Sequence, residues 1–144
     1  MSYDRSRSRR RGGFTLMEVL LVLAILVILG SLGSVMYVNA QKKAQLDAAR
    51  SQIGLFDSAL GTYYVSMGEF PSSQAGLEAL RSPPADARRP DSWMAFFDRD
   101  IPLDPWDHPY QYVNPGTHNT DKYDIWSAGP DGQDGTDDDI GNWK

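Results

Sequence analysis

A long apolar run near the start of the chain dominates its pattern of hydrophobic and polar positions. Between Phe14 and Val38 the only charged residue is Glu18. Because a helix of about 20 apolar residues spans the core of a bilayer, residues 14–38 predict a membrane-spanning helix. A carboxylate inside such a segment is costly unless a partner compensates its charge. Glu18 therefore indicates an assembly rather than a lone anchored domain.

The same helix is predicted to continue well beyond the apolar run. No proline occurs before Pro71, so nothing in the sequence interrupts a helix that ends at about Met67. Apolar residues recur at helical spacing in its second half, namely Ile53, Phe56, Leu60, Tyr63 or Tyr64, and Met67. The prediction is one helix of about 50 residues, apolar all round in its first half and amphipathic in its second half.

Shorter segments after the helix predict a small antiparallel sheet. The expected elements are a short helix capped by Ser72 or Ser73 and ending at Leu80, an exposed loop over residues 82–92, a short strand or turn over 93–97, and strands over 110–113 and 123–127. Packing the amphipathic half of the helix on this sheet would cover both apolar faces. The predicted fold class is therefore α+β, with a long N-terminal helix on a small antiparallel sheet.

Arginines are concentrated in residues 1–13, which hold five of them against one aspartate. Under the positive-inside rule this leader stays in the cytoplasm, and the rest of the chain then faces the other side of the membrane. Without the leader, the 14 basic and 19 acidic residues of the chain fall to 9 and 18. The resulting net charge of −9 argues against nucleic-acid binding and suits cations. A conventional secretory signal, cleaved near Gly30 to Ser34, is the alternative interpretation.

The acidic loop, residues 131–139, carries five aspartates within nine residues. These carboxylates repel one another unless water or a cation separates their charges. Aspartate, threonine and glycine supply oxygen ligands and tight turns, which suit calcium, although the spacing is not that of an EF-hand. Trp126, Ile140 and Trp143 flank the loop as apolar anchors. Because the chain has no cysteine, a cation would supply stability that small exported domains often take from disulfides. A solvated acidic loop is the alternative.

Sequence signals for catalysis are weak. His108 and His118 lack the spacing of zinc ligands. The sequence also holds no glycine-rich phosphate loop, no nucleophile elbow and no paired catalytic carboxylates. The residues themselves therefore predict no enzymatic activity.

The segment Gly13-Phe14-Thr15-Leu16-Met17-Glu18, which follows the basic leader, resembles the type IV pilin superfamily. Further stretches resemble the major pseudopilins of the type II secretion system, the general secretion pathway protein G family. They are Asp104-Pro105-Trp106, Pro109-Tyr110-Gln111-Tyr112, and the runs from Asp124 to Gly129 and from Asp138 to Trp143. The resemblance covers most of the chain. Asp107 is a departure, since the family pattern usually has glycine there.

This resemblance implies that a prepilin peptidase removes the leader after Gly13 and that Phe14 becomes N-methylated. Glu18 would then face the N-terminal amine of a neighbouring subunit, where two opposite charges compensate each other in lipid. The implied organisation is a cleaved leader over residues 1–13, a transmembrane and assembly half-helix over 14–38, and a periplasmic domain over 39–144.

The resemblance also implies a function and a set of partners. The chain would leave the bacterial inner membrane to polymerise into a helical periplasmic filament, the pseudopilus, that helps drive folded proteins across the outer membrane. Its partners would be further copies of itself, minor pseudopilins, the prepilin peptidase, the inner-membrane assembly platform and the secretin, and not nucleic acid. A major type IV pilin and a membrane-tethered calcium-binding or hydrolytic domain are the alternatives.

Calcium is the cofactor that the resemblance implies. Its ligands would be the side chains of Asp131, Asp138 and Asp139, the backbone oxygens of Ala128 and Gln133, and a contribution from Thr136. Bound calcium would order the acidic loop and take the place of the disulfide found in many true pilins.

Overall fold

One long helix and a three-stranded antiparallel sheet make up the fold. The computed structural model describes residues 13–143, apart from the side chains of residues 32–35, so the predicted leader lies outside it except for Gly13. The elements are helix α1 (Leu16–Met67), two short 3₁₀ helices (Gly76–Leu80 and Pro90–Ser92), and strands β1 (Gln111–Val113), β2 (Asp124–Ser127) and β3 (Ile140–Gly141). The predicted fold class, a long helix packed on a small antiparallel sheet, is confirmed.

Both ends of α1 follow from local chemistry. Thr15 caps its start, because the Thr15 hydroxyl accepts a hydrogen bond from the Glu18 amide at 3.2 Å and so satisfies a free donor of the first turn. Gly68 ends the helix in the left-handed region, with φ at +81°, and its amide donates to the Tyr64 carbonyl at 2.8 Å. The predicted single helix ending at about Met67 is thus confirmed.

The chain divides into two compact units, Met1–Gln41 and Lys42–Lys144. In the first unit every described side chain is exposed, including the leucines, isoleucines and valines of the apolar run. By length and composition, α1 contains a stretch that can cross a membrane. Its apolar surface needs lipid or other helices to cover it.

The core of the second unit lies between the amphipathic half of α1 and the sheet. Tyr63 is 2% exposed whereas Tyr64 is 48% exposed, so Tyr63 is the one that belongs to the apolar face. Tyr110, just before β1, and Ile125 in β2 meet the helix from the sheet side. The buried helical residues are spaced three or four positions apart on one face and are Ala49, Ile53, Phe56, Ala59, Leu60, Tyr63 and Met67.

The sheet has the order β1-β2-β3. Tyr112 pairs with Ile125 across β1 and β2, and Ser127 pairs with Ile140 across β2 and β3. Strands β1 and β2 confirm the two predicted strands. Strand β3 was not predicted, because two residues are too few to show an alternating pattern. Its pairing closes the segment that holds the acidic loop and brings Ile140 into the core.

The structure makes two predictions between α1 and β1 more specific. The short helix after Ser72 is a 3₁₀ helix of five residues, the form that short helical pieces commonly take. Residues 93–97, all of them described, form no strand. Instead, the Phe96 and Phe97 amides both donate to the Leu80 carbonyl, at 2.8 and 3.0 Å. This segment is therefore held by the end of the 3₁₀ helix and not by a sheet.

Candidate functional site

The predicted processing and assembly residues lie at the start of α1. Gly13 and Phe14 precede the helix. Beyond its chain neighbours, a methyl group on Gly13 would meet no atom within 4 Å, and Phe14 is 81% exposed. Glu18 lies in the first helical turn and is also exposed. Among the described residues no basic side chain forms an ion pair with Glu18.

Four of the six predicted calcium ligands meet at the side chain of Thr136. The Thr136 hydroxyl oxygen lies 2.5 Å from Asp138 Oδ1, 3.1 Å from the Gln133 carbonyl oxygen and 3.5 Å from Asp131 Oδ1. Two carboxylates, one carbonyl and one hydroxyl are therefore gathered in one small region of the acidic loop. Such a set of oxygen donors is the chemistry that calcium prefers.

The two carboxylate oxygens of Asp139, the fifth predicted ligand, differ in their hydrogen bonding. Its Oδ2 accepts a hydrogen bond from the Gly135 amide at 2.7 Å. Its Oδ1 is buried and has no hydrogen-bond partner among the described residues. Because an unsatisfied buried carboxylate oxygen is costly, this atom needs a ligand that the described chain does not supply. The donor set therefore fits a hard cation.

Ala128, the sixth predicted ligand, directly follows β2 and is 4% exposed. The next residue, Gly129, has φ at +65°, and a side chain there would overlap the backbone carbonyl oxygen of Asp138. Only glycine allows so close an approach in that conformation. Gly129 thus allows the backbone beside Ala128 to contact Asp138, which lies near the end of the acidic loop.

The described residues bring these oxygen donors near one another but do not arrange them as a complete coordination shell around one metal position. No group of three or more histidine, cysteine, aspartate or glutamate side chains among them is arranged to hold a metal ion. Asp138 is nevertheless prepared as a charged ligand. The hydrogen bond from Thr136 is the main cause of a pKa below the ordinary value of Asp138, and it outweighs the opposing effect of burial. This hydrogen bond therefore favours the charged form of the carboxylate.

Aromatic side chains hold the acidic loop against the sheet. Trp126 Nε1 donates to Asp134 Oδ1 at 2.9 Å. Trp143 stacks on His118, with ring centroids 4.0 Å apart and ring planes 6° from parallel. His118 Nδ1 in turn lies 3.2 Å from Oδ2 of the buried Asp124. The anchoring of the loop by tryptophans was predicted, but the stacking of Trp143 on His118 was not, because these two residues are distant in sequence.

Asp124 organises the turn that carries His118. Its carboxylate accepts hydrogen bonds from the backbone amides of His118 and Asn119, at 2.7 and 2.9 Å, and from the Asn119 side-chain amide at 2.9 Å. Burial alone raises the pKa of Asp124, but these hydrogen bonds and the one from the His118 ring together lower it below its ordinary value. The sequence identified Asp124 only as a strand residue.

A helix that is apolar in its first half and packed on a small sheet in its second half is typical of a pilin-like structural subunit, and this helix includes a segment apolar enough to span a membrane. The prokaryotic N-terminal methylation motif matches residues 8–34. The family model for type II secretion system (T2SS), protein G matches residues 36–143. The chain belongs to this family of pseudopilins, which are structural subunits rather than enzymes.

Named relatives and a solved structure agree with this assignment. The type II secretion system core protein G of Pectobacterium carotovorum subsp. carotovorum is 43% identical, over 99% of this chain and 90% of the relative. The protein of the same name from Aeromonas hydrophila is 41% identical, over 96% of each chain. The crystal structure of the major pseudopilin from the type 2 secretion system of enterohaemorrhagic Escherichia coli aligns with a TM-score of 0.64 at 35% identity, over 74% of this chain and 92% of that one. The resemblance noted from the sequence is confirmed.

Proposed function

We propose that this chain polymerises into the periplasmic pseudopilus of a type II secretion system and helps drive folded proteins across the outer membrane. The observation that carries this proposal is the exposure of α1 in the first unit, where every described side chain faces outward and most are apolar. Lipid can cover such a surface in a membrane, and copies of the same helix can cover it in a filament. Membership of the protein G family supports the same conclusion.

Before assembly, the chain would cross the bacterial inner membrane once. Residues 1–13 would lie in the cytoplasm, and the domain over 39–144 would lie in the periplasm. The prepilin peptidase would then cut after Gly13, and Phe14 would be methylated. The match to the N-terminal methylation motif and the exposure of both residues ahead of α1 support this order of events.

Glu18 is the residue that would select a neighbouring copy. Once α1 is in lipid its carboxylate is surrounded by apolar groups, and within the described chain no ion pair compensates it. After cleavage, the free amine of Phe14 on an adjacent copy carries the opposite charge. Two buried opposite charges stabilise each other where neither is tolerated alone.

Calcium is the proposed cofactor of the acidic loop. It would be held by the carboxylates of Asp131, Asp138 and Asp139, the backbone oxygens of Ala128 and Gln133, and the hydroxyl of Thr136. When bound, it would neutralise part of the negative charge of the loop and satisfy the buried oxygen of Asp139. The chain already gathers these donors, because Thr136 contacts Asp131 and Asp138 and the Gly135 amide orients Asp139.

Minor pseudopilins, the inner-membrane assembly platform and the secretin complete the proposed set of partners. Their role follows from the family and from the need of a filament for a base, a tip and an exit. The net charge of −9 outside the leader argues against nucleic acid as a partner.

Replacement of Glu18 tests the assembly. Glu18→Val removes the carboxylate and keeps α1 apolar, so membrane insertion is expected to be unchanged. Breaking a buried ion pair costs about 3–5 kcal/mol, which weakens association by about a hundredfold or more, so filaments should become scarce. Membrane fractionation measures insertion, and electron microscopy after overproduction measures filament yield. Met17→Val, at an adjacent position that is 79% exposed, is the matched control and should assemble. Normal filament yield from Glu18→Val would refute the pairing.

A further inference from the structure

A buried carboxylate next to the acidic loop ties a turn to the end of β2. The side chain of Asp104 has no exposed surface and begins the tight turn of residues 104–108. Its Oδ1 accepts hydrogen bonds from the amides of Trp106 and His108, at 2.9 and 2.8 Å. Its Oδ2 accepts a hydrogen bond from the Ser127 hydroxyl at 2.5 Å. Ser127 is itself fully buried, so the carboxylate links this turn to the last residue of β2.

Ser127 also holds the peptide unit that carries the Ala128 carbonyl, a proposed calcium ligand. The Ser127 hydroxyl oxygen accepts a hydrogen bond from the Gly129 amide at 3.1 Å. That amide belongs to the same peptide unit as the Ala128 carbonyl. Because a trans peptide unit is planar, its N–H and C=O point in opposite directions. Fixing the Gly129 amide therefore fixes the direction of the Ala128 oxygen.

The peptide after Gly129 is held by the same turn. The Gly129 carbonyl oxygen lies 3.2 Å from His108 Nδ1, and the backbone of His108 is bonded to Asp104. The His108 ring also lies against Gly132, where an added side chain would begin 2.9 Å from the ring. Both peptides around Gly129 are thus connected to the carboxylate of Asp104.

We propose that Asp104 and Ser127 are positioning residues for calcium binding, because together they hold the Ala128 carbonyl in one orientation. This inference rests on the proposed calcium site, and neither residue is itself a proposed ligand. Groups that orient metal ligands commonly contribute about 10–100-fold to metal affinity. Loss of the Ser127 hydroxyl is therefore expected to weaken calcium binding by about that factor, although every proposed ligand is still present.

The test compares two variants that each lose one buried hydroxyl. Ser127→Ala loses the bond to Asp104, and Tyr123→Phe loses a bond of 2.8 Å to Asp57 Oδ1 on α1, which does not involve the acidic loop. The full chain is purified in detergent. Its affinity for Ca²⁺ is measured by competition with a chromophoric chelator, and its melting temperature is measured in EDTA. Both variants should melt lower in EDTA, but only Ser127→Ala should bind calcium about 10–100-fold more weakly.

Further variants keep the test informative if Ser127→Ala does not fold. Ser127→Thr restores a hydroxyl and is expected to bind calcium more tightly than Ser127→Ala. If Ser127→Ala does not fold, Asp104→Asn takes its place, because it keeps the shape of the side chain and should also weaken calcium binding. Wild-type affinity in Ser127→Ala, or an equal weakening in Tyr123→Phe, would overturn the positioning role and leave the calcium site standing. A wild-type chain that binds no calcium would refute both.

Discussion

A methyl group added at Gly129 is expected to break the contact between Gly129, which precedes the acidic loop, and Asp138, which lies near the end of the loop. Gly129 has φ at +65°, a conformation that costs a residue with a side chain about 1–2 kcal/mol. The added methyl group would also overlap the backbone carbonyl of Asp138 and lie 2.9 Å from its Oδ2. Because a backbone carbonyl cannot rotate aside as the end of a side chain can, Asp138 would have to move.

Two glycines inside the acidic loop make it possible to measure the conformational cost separately from the steric overlap. Gly135 has φ at +84°, but an added methyl group there meets nothing within 4 Å, so Gly135→Ala carries the conformational cost alone. Gly132 has φ at +67°, and its methyl group would meet the His108 ring, which can shift. Destabilisation is therefore expected to increase from Gly135→Ala through Gly132→Ala to Gly129→Ala.

The sizes of these effects are large enough to measure by thermal unfolding. Gly135→Ala is expected to lower the free energy of unfolding by about 1–2 kcal/mol, and each kcal/mol lowers Tm by about 4–8 °C in a domain near 100 residues. Overpacking adds about 1–3 kcal/mol, so Gly129→Ala should lose about 2–5 kcal/mol in total. The assay is near-ultraviolet circular dichroism of the full chain in detergent. Equal melting temperatures for Gly129→Ala and Gly135→Ala would refute the close contact with Asp138.

Two further predictions concern charge. EDTA is expected to lower Tm, because a ligand bound only by the folded state stabilises that state by RT ln(1 + [L]/Kd). In Asp138→Ala, Tm should be the same with and without EDTA. A wild-type Tm that EDTA leaves unchanged would contradict the calcium proposal. The pKa of Asp124 is lower in the folded state than its ordinary value. The ionised carboxylate therefore contributes fully to stability above the unfolded pKa of about 3.9. This contribution is lost as the pH falls through the folded pKa. Acid unfolding followed by circular dichroism from about pH 5 to about pH 2 should therefore be steeper in the wild type than in Asp124→Asn, and equal slopes would count against this role.

The long helix and the class of fold were predictable because the sequence patterns that indicate them extend over many residues. Helix α1 covers 52 residues, so its apolar run and its later periodicity remain clear despite the isolated glycines Gly54 and Gly61. Strands β1 and β2 contain aromatic and β-branched residues, which favour strands. Strand β3 has two residues, and no periodic pattern can be read from so few positions.

The candidate calcium site was predictable in composition but not in geometry. The aspartates can be counted, whereas the meeting of oxygens at Thr136 depends on how glycines with positive φ fold the loop. Asp104 and Ser127 are 23 residues apart, so no local pattern reveals their bond. Asp107 has φ at +67°, a conformation in which glycine, the residue that the resemblance led us to expect there, has no steric cost. Aspartate is among the few other residues that tolerate this conformation.

The acidic loop and β3 depend on each other, which links the chemistry of the loop to the stability of the second unit. Strand β3 pairs with β2 at only two positions, yet Ile140 is 6% exposed and belongs to the core. Repulsion among the five aspartates opposes the loop closure that this pairing requires. The chain has no cysteine with which a disulfide could oppose that repulsion. Bound calcium would remove much of it, so occupancy of the loop and burial of Ile140 are expected to be coupled.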